Sequence, residues 1–268
     1  MAEIEIVLHP IPTPDSKPYI IVFGPDQHLW FCESGTSKIG RLNPANGAFT
    51  EFATPTPDSR PIGITSAADG ALWFCENAAN KIGRITTSVS HVGRITPGGT
   101  VTEFSQGLTP GCRPLSLVVR GGAVWFSEYE AGQIGRISID GDVTEYKIPT
   151  PNSEPRAMTA HPDGNIWFVE TKANALGRID AAGCITEWPV KTPDASLRGV
   201  TVAPDGDLWF TENFSNKIGR MAPDGKVIGE YAIPVEECGA RAIVAIPDGR
   251  LFFSAHDVGA IGEVIPRR

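Results

Sequence analysis

A Trp-Phe pair returns along this chain at a nearly fixed interval. The tryptophan stands at Trp30, Trp73, Trp125, Trp167 and Trp209, and Phe252 takes its place in Phe252-Phe253. The intervals are 43, 52, 42, 42 and 43 residues. A period near 42 residues is the signature of a repeat architecture, in which one small unit recurs and buries its apolar face against its neighbours. The clearest copy runs Leu72-Trp-Phe-Cys-Glu-Asn-Ala-Ala-Asn-Lys-Ile-Gly-Arg-Ile85.

Each unit carries four strand signals. Around Trp73 they are Pro61–Thr65, the almost wholly apolar Ala71–Cys75, Lys81–Ile85 and the alternating Thr100–Phe104, with Asp69-Gly70 as a hairpin turn. The same turn recurs at Asp163-Gly164, Asp205-Gly206 and Asp248-Gly249. Four antiparallel strands in about 40–45 residues make the blade of a β-propeller. The expected fold is therefore all-β, a six-bladed propeller forming a single domain over residues 1–268. The glycine of Ile-Gly-Arg (Gly40, Gly83, Gly135) suggests close backbone approach inside a strand.

The chain ends at Ala260–Ile265, a third strand, and starts at Ile4–Leu8, a fourth strand followed by its connector. Pairing the two ends completes the last blade and removes an exposed edge. The second unit is about ten residues too long, because Lys81-Ile-Gly-Arg-Ile-Thr86 is echoed by His91-Val-Gly-Arg-Ile-Thr96. The first copy keeps the usual Asn-Lys flank and is expected to be the real strand, with the insert lengthening a hairpin away from the pocket; were the second copy the real strand, residues 77–90 would form a lid over the pocket instead.

Composition narrows the function classes. Hydrophobic residues are 41% and charged residues 20%, which suits a packed core. A net charge of -8 argues against a nucleic-acid binder, which lives on phosphate contacts. With no long apolar run and no N-terminal signal pattern, a soluble, cytoplasmic monomer with no membrane partner is expected. The five cysteines show no CxxC spacing and are expected to be reduced and mostly buried.

Two positions per blade should converge on the central channel. One, at the start of the inner strand, holds Tyr19, Ile62, Leu115, Arg156, Arg198 and Arg241. The other, just past the second strand, holds Ser34, Asn77, Tyr129, Thr171, Asn213 and His256. Beside it runs a row of glutamates, Glu33, Glu76, Glu128, Glu170 and Glu212, broken at Ala255. A residue repeated in every blade is a structural part, here expected to accept hydrogen bonds from the next blade's backbone or from the Ile-Gly-Arg arginine. Function must break the symmetry. Arg156, Arg198 and Arg241 do so, and arginines clamp carboxylate, carbonyl or phosphate oxygens. His256 is the one histidine at a channel position; His9, His28, His91 and His161 are expected at the surface. The ligand expected is a small molecule, anionic or a cyclic ester.

With the motif of residues 72–85 and the Pro-Thr-Pro connectors in place, the chain resembles the virginiamycin B lyase family, which inactivates streptogramin B antibiotics. The likeness covers essentially the whole chain, split last blade included, although the family has seven blades. It implies an antibiotic-resistance enzyme, a C–O lyase that opens a cyclic depsipeptide at its ester by elimination, aided by Mg²⁺. A general base would remove a proton α to a carbonyl while a cation stabilises the enolate.

The site residues match less well. The family's tyrosine at the start of blade one is matched by Tyr19. Its histidine in the penultimate blade falls on Arg198, and the catalytic histidine of its Glu-Pro-His-Gly motif falls on Arg241. The two metal-binding glutamates fall on Gly239 and Ala255, and the nearest echo of the motif is Glu154-Pro-Arg-Ala157. Mg²⁺ is thus expected from the family, but its ligand positions are not matched and no metal ligand is assigned. A rewired site follows: His256 as base, Tyr19 as proton donor or anchor, and Arg241 as electrostatic stabiliser. Arg198, Arg156, Tyr129 and Asn213 would bind substrate. Two alternatives stand beside it, a lactone or ester hydrolase on a six-bladed scaffold and a non-catalytic propeller that binds a small molecule or a protein.

Overall fold

The computed structural model describes residues 4–54, 56–66, 71–76, 81–86, 107–138 and 142–266. They contain strands and turns, and no helix long and apolar enough to cross a membrane. β1 (Ile4–Pro10) comes first. The first blade is β2 (Pro18–Phe23), β3 (Leu29–Glu33), β4 (Lys38–Leu42) and β5 (Phe49–Ala53), followed by β6 (Pro61–Ser66), β7 (Ala71–Glu76) and β8 (Lys81–Thr86) of the second. The third is β9 (Pro114–Arg120), β10 (Ala123–Glu128), β11 (Gln133–Ile137) and β12 (Val143–Lys147). The fourth is β13 (Pro155–Ala160), β14 (Ile166–Glu170), β15 (Ala175–Ile179) and β16 (Ile185–Pro189). Then come β17 (Leu197–Val202), β18 (Leu208–Glu212), β19 (Lys217–Met221) and β20 (Val227–Ala232), and last β21 (Ala240–Ala245), β22 (Leu251–Ala255) and β23 (Ala260–Pro266).

Each blade is an antiparallel meander in chain order, so the fold is a β-propeller of four-stranded blades, with six sheets among the described residues. β1 pairs β23 in register from Ile4↔Pro266 to Pro10↔Ala260, which completes the last blade as the sequence predicts. In the second blade the first of the two echoed segments is the third strand: β8 pairs β7 with Phe74 opposite Gly83, the register of every other blade. The second copy, the expected outer strand at 100–104, Asn77, His91 and the insert's path lie outside the described residues.

The chain forms two compact units, residues 102–233 and residues 2–101 with 234–268. In the first, the inner strands β9, β13 and β17 are successive neighbours; in the second, β21, β2 and β6 are. The second strands β3, β14, β18 and β22 are buried along their whole length. This explains their apolar composition, since a sheet covered on both faces shows no alternation.

Three sequence features are explained by one cross-strand pattern. Trp30, Trp125, Trp167 and Trp209 each stack on an outer-strand aromatic, Phe52, Tyr146, Trp188 and Tyr231, at centroid distances of 5.0–5.9 Å. The Ile-Gly-Arg arginine lies over the same indole; Arg220, for instance, sits 5.2 Å from Trp209 and is also held by Asp205 and Asp207. In the last blade Glu263 replaces that arginine, and Arg250 covers Phe252 while pairing with Glu263 at 2.9 Å.

The expected backbone approach at the Ile-Gly-Arg glycine is corrected: the space is taken by a side chain. A Cβ on Gly40 would lie 2.2 Å from the Phe31 ring and 2.8 Å from Oε1 of Glu33, and Gly177 repeats this with Phe168 and Glu170. The described histidines are also less exposed than expected. His161 is buried and bonds the carbonyl of Gly206, His9 contacts Glu263 at 2.7 Å, and His28 Nδ1 donates to the carbonyl of Asp26. Cys32, Cys112 and Cys238 are buried, Cys184 is exposed, and none of the four is in a disulfide.

Candidate functional site

The start of each inner strand is locally out of register with the second strand. The pairing shifts between Pro18 and Ile21, between Pro155 and Met158, between Leu197 and Val200, and between Ala240 and Ile243. Tyr19, Arg156, Arg198 and Arg241 sit within these shifts. An irregularity of this kind frees a side chain from the pleat and re-aims it. It also frees a backbone N–H, and a hydroxyl on the second strand accepts it. Gly199 N–H donates to Thr211 Oγ1 at 2.8 Å, Ala242 N–H to Ser254 Oγ at 3.1 Å and Ser116 N–H to Ser127 Oγ at 3.1 Å. These supporting hydroxyls precede the Glu of Trp-Phe-x-Glu (Ala255 in the last blade), a signal visible in sequence but not used there.

In the unit of residues 2–101 and 234–268, three of the expected residues come together. The Tyr19 and His256 rings meet edge-to-face at 5.6 Å, and the Arg241 guanidinium lies over the Tyr19 ring, 4.8 Å from its centroid. His256 Nδ1 donates to the carbonyl oxygen of Pro18 at 3.0 Å. A carbonyl only accepts, so the ring hydrogen is on Nδ1 and Nε2 of the neutral ring keeps its lone pair. Burial, then the positive charge of Arg241 and of Lys17, lowers the His256 pKa, against the opposing pull of Pro18 and Asp257. The ring is therefore neutral at neutral pH.

Asp257 is the participant that the sequence reading missed. Its Oδ1 lies 4.0 Å from His256 Nε2. A Cβ on Gly239, which has φ +65°, would fall 2.0 Å from Asp257 Oδ2. The carboxylate of Asp257 thus occupies the space that a side chain at 239 would enter.

The unit of residues 102–233 carries a second cluster. Tyr129 Oη donates to Glu154 at 2.8 Å, Arg156 Nη2 donates to Tyr129 Oη at 3.1 Å, and the guanidinium lies 4.5 Å from the Tyr129 ring. Burial first, and the bond to Glu154 next, raise the Tyr129 pKa, so the phenol stays protonated. Arg198 takes the equivalent position in β17. Asn213, just past β18, is tied through its N–H to Ser196 O at 3.2 Å.

The glutamate row is corrected. Glu33, Glu128, Glu170 and Glu212 are fully buried, and what they face is neither the next blade's backbone nor the arginine, which is occupied by the indole. Each faces an outer-strand glutamate of its own blade, Glu51, Glu145, Glu187 or Glu230. The Ile-Gly-Arg glycine opens the space between them.

The magnesium that the resemblance implies would find no donors at the positions expected to hold it: Gly239 is a positive-φ glycine and Ala255 is fully buried. Among the described residues no group of three or more His, Cys, Asp or Glu side chains has the geometry to hold a metal ion.

Comparison with known proteins places this geometry. The profile of the virginiamycin B lyase family matches residues 1–91 and 87–268. The chain belongs to that family. Among solved structures, a streptogramin B lyase is 28% identical with a TM-score of 0.89, the match covering 98% of each chain. A virginiamycin B lyase from Staphylococcus aureus is 29% identical, with a TM-score of 0.64 over 99% of this chain and 100% of the other. A catalytically inactive variant of the Staphylococcus aureus enzyme, solved with quinupristin, is 28% identical with a TM-score of 0.62 over 99% of this chain and 100% of that one. A gluconolactonase from Xanthomonas campestris, 16% identical with a TM-score of 0.67, shares the fold. No curated protein matches the chain. Membership in the lyase family stands beside the cluster of His256, Tyr19 and Arg241.

Proposed function

We propose that this member of the virginiamycin B lyase family opens a cyclic ester by elimination, with His256 as general base. The observation that carries the reading is the His256–Pro18 hydrogen bond, which fixes the tautomer and presents a basic Nε2 on a neutral ring. In the step proposed, Nε2 takes the proton from the carbon α to a carbonyl. The C–H electron pair becomes the new double bond, the neighbouring C–O bond breaks, and the ester departs as a carboxylate. No water is added.

The charges that develop have partners in the same cluster. Arg241 supplies a permanent positive charge beside the enolate and the departing carboxylate, in place of a metal. Tyr19 stacks on Arg241 and donates or anchors through its hydroxyl. Asp257 stands near the imidazolium that forms on His256 and stabilises it. Arg156, held over Tyr129 and with guanidinium N–H groups beyond the one given to its hydroxyl, offers a separate donor suited to a carbonyl or carboxylate oxygen, and Tyr129, Arg198 and Asn213 are assigned to substrate binding with it.

The test is turnover of a streptogramin B by the wild type and by His256→Ala, with folding checked by thermal melting. A positioned general base contributes on the order of 100-fold or more. An unchanged rate removes His256 from the mechanism.

A further inference from the structure

We infer that four of the blades each bind a proton between a buried glutamate of the second strand and a half-buried glutamate of the outer strand, and that this proton uptake makes the stability of the fold fall as pH rises. The pairs are Glu33–Glu51, Glu128–Glu145, Glu170–Glu187 and Glu212–Glu230. The proposal does not depend on the function assigned to the His256 cluster.

The geometry is the same each time. Taking the fourth blade, Phe168 pairs Gly177 across β14 and β15, and Gly177 pairs Glu187 across β15 and β16. Glu170 lies on the face of Phe168, two residues on, and its carboxyl reaches over the glycine towards Glu187; a Cβ on Gly177 would lie 2.7 Å from Glu170 Oε1. Neither carboxyl oxygen of Glu170 or Glu128 meets a hydrogen-bond donor in good geometry among the described residues. A fully buried carboxylate without donors is not stable as an anion beside a second carboxylate. One proton between them turns the repulsion into a hydrogen bond.

The outer glutamate is the one to which the connector feeds donors. Thr109 donates to Glu145 through both its N–H and its hydroxyl, and Thr192 does the same for Glu230, joined by the Lys191 N–H. Burial would raise the Glu145 pKa, but these donors and Glu128 hold it below the usual range. The inner glutamate takes the proton. Burial, then Glu187, pushes Glu170 up to about 9, against Ser153. Burial, then Glu145, pushes Glu128 to about 7, against Cys112.

The residue opposite the inner glutamate tunes the pair. Lys38 faces Glu33, which burial raises to about 7 while Thr36 and Lys38 pull it down and Glu51 pushes it up. Lys217 likewise faces Glu212, which burial raises against Ser215, Lys217 and Thr192, with Glu230 adding to the rise. Ala175 stands opposite Glu170, with no charge to oppose the proton.

The sign follows from linkage. An unfolded glutamate titrates near 4.5, so between that value and the folded pKa the native state holds a proton that the unfolded state has released. Stability contributed by the pair is full below the unfolded pKa and is lost as pH rises through the window, 4.5 to about 9 for Glu170 and 4.5 to about 7 for Glu128. Each held proton raises the unfolding equilibrium constant by about tenfold per pH unit in its window.

The test is denaturant unfolding of the whole chain and of Glu170→Gln between about pH 5.5 and 8.5. An amide donates to Glu187 without needing a proton. The variant is therefore expected to lose about one proton's worth of slope, that is tenfold per pH unit, and to be more stable than wild type at the alkaline end. Comparing two chains that share every other titrating group isolates the pair. An unchanged slope overturns the inference. Should the variant not fold, infrared absorption of the native wild type at pH 7.5 decides: a protonated-carboxyl band supports the inference and its absence overturns it.

Discussion

Nδ1 of His256 donates to the carbonyl oxygen of Pro18 at 3.0 Å, so the side chain proposed as base is oriented by the backbone of the neighbouring inner strand. Pro18 immediately precedes Tyr19, and one backbone segment therefore sets the position of both residues. The bond also decides which nitrogen holds the lone pair.

The pH profile of turnover should report this arrangement. Burial and the Arg241 charge hold the His256 pKa below its ordinary 6.5, so activity should persist as pH falls to 6.5 and decline only below it. In Arg241→Met the second of those causes is removed, and the acidic limb should move to higher pH while the rate falls. A limb that stays in place contradicts the coupling between the two side chains; the profile of kcat/KM, with the NMR titration of His256, measures it.

Gly177→Ala tests the packing that gives Ile-Gly-Arg its glycine. The added methyl would lie 2.2 Å from the Phe168 ring and must displace it. Overpacking of this kind costs about 1–3 kcal/mol, or a melting point lower by roughly 2–4 °C per kcal/mol in a chain of this size. A variant that melts with the wild type contradicts the account.

Deleting residues 1–10 tests the closure of the last blade. It strips β1 from β23, leaves an unpaired strand edge and removes the His9–Glu263 contact of 2.7 Å. Aggregation and a lowered melting temperature are expected. Size-exclusion chromatography and thermal melting read the outcome, and a monomeric deletion as stable as wild type would show that β1 is dispensable.

Much of the fold was legible because the blade repeats. One Trp-Phe motif, seen six times, fixes the second strands, the turns and the third strands within a residue or so, and even the unpaired ends pointed to β1 beside β23. The site was less legible for physical reasons. The partner of Glu170 is Glu187, two strands away across a glycine, and no local pattern in the chain reports a diagonal contact. Asp257 follows His256 directly, yet its importance depends on the φ of +65° at Gly239, which lets its carboxylate fill the place of a missing side chain. Arg156 and Tyr129 stand at two different channel positions in the sequence, and their contact at 3.1 Å emerges only once β13 lies beside β9. His161, by contrast, looked like a surface turn residue and is buried because Gly206 of the next blade leaves its carbonyl within reach.

The central claim, ring opening without water, is tested most directly by the mass of the product. A streptogramin B incubated with the protein should yield a linear product of unchanged mass carrying a new carbon–carbon double bond, and His256→Ala should yield far less of it. A product heavier by one water would establish hydrolysis instead, and an intact cyclic ester after prolonged incubation would contradict the assignment of catalysis to the His256 cluster.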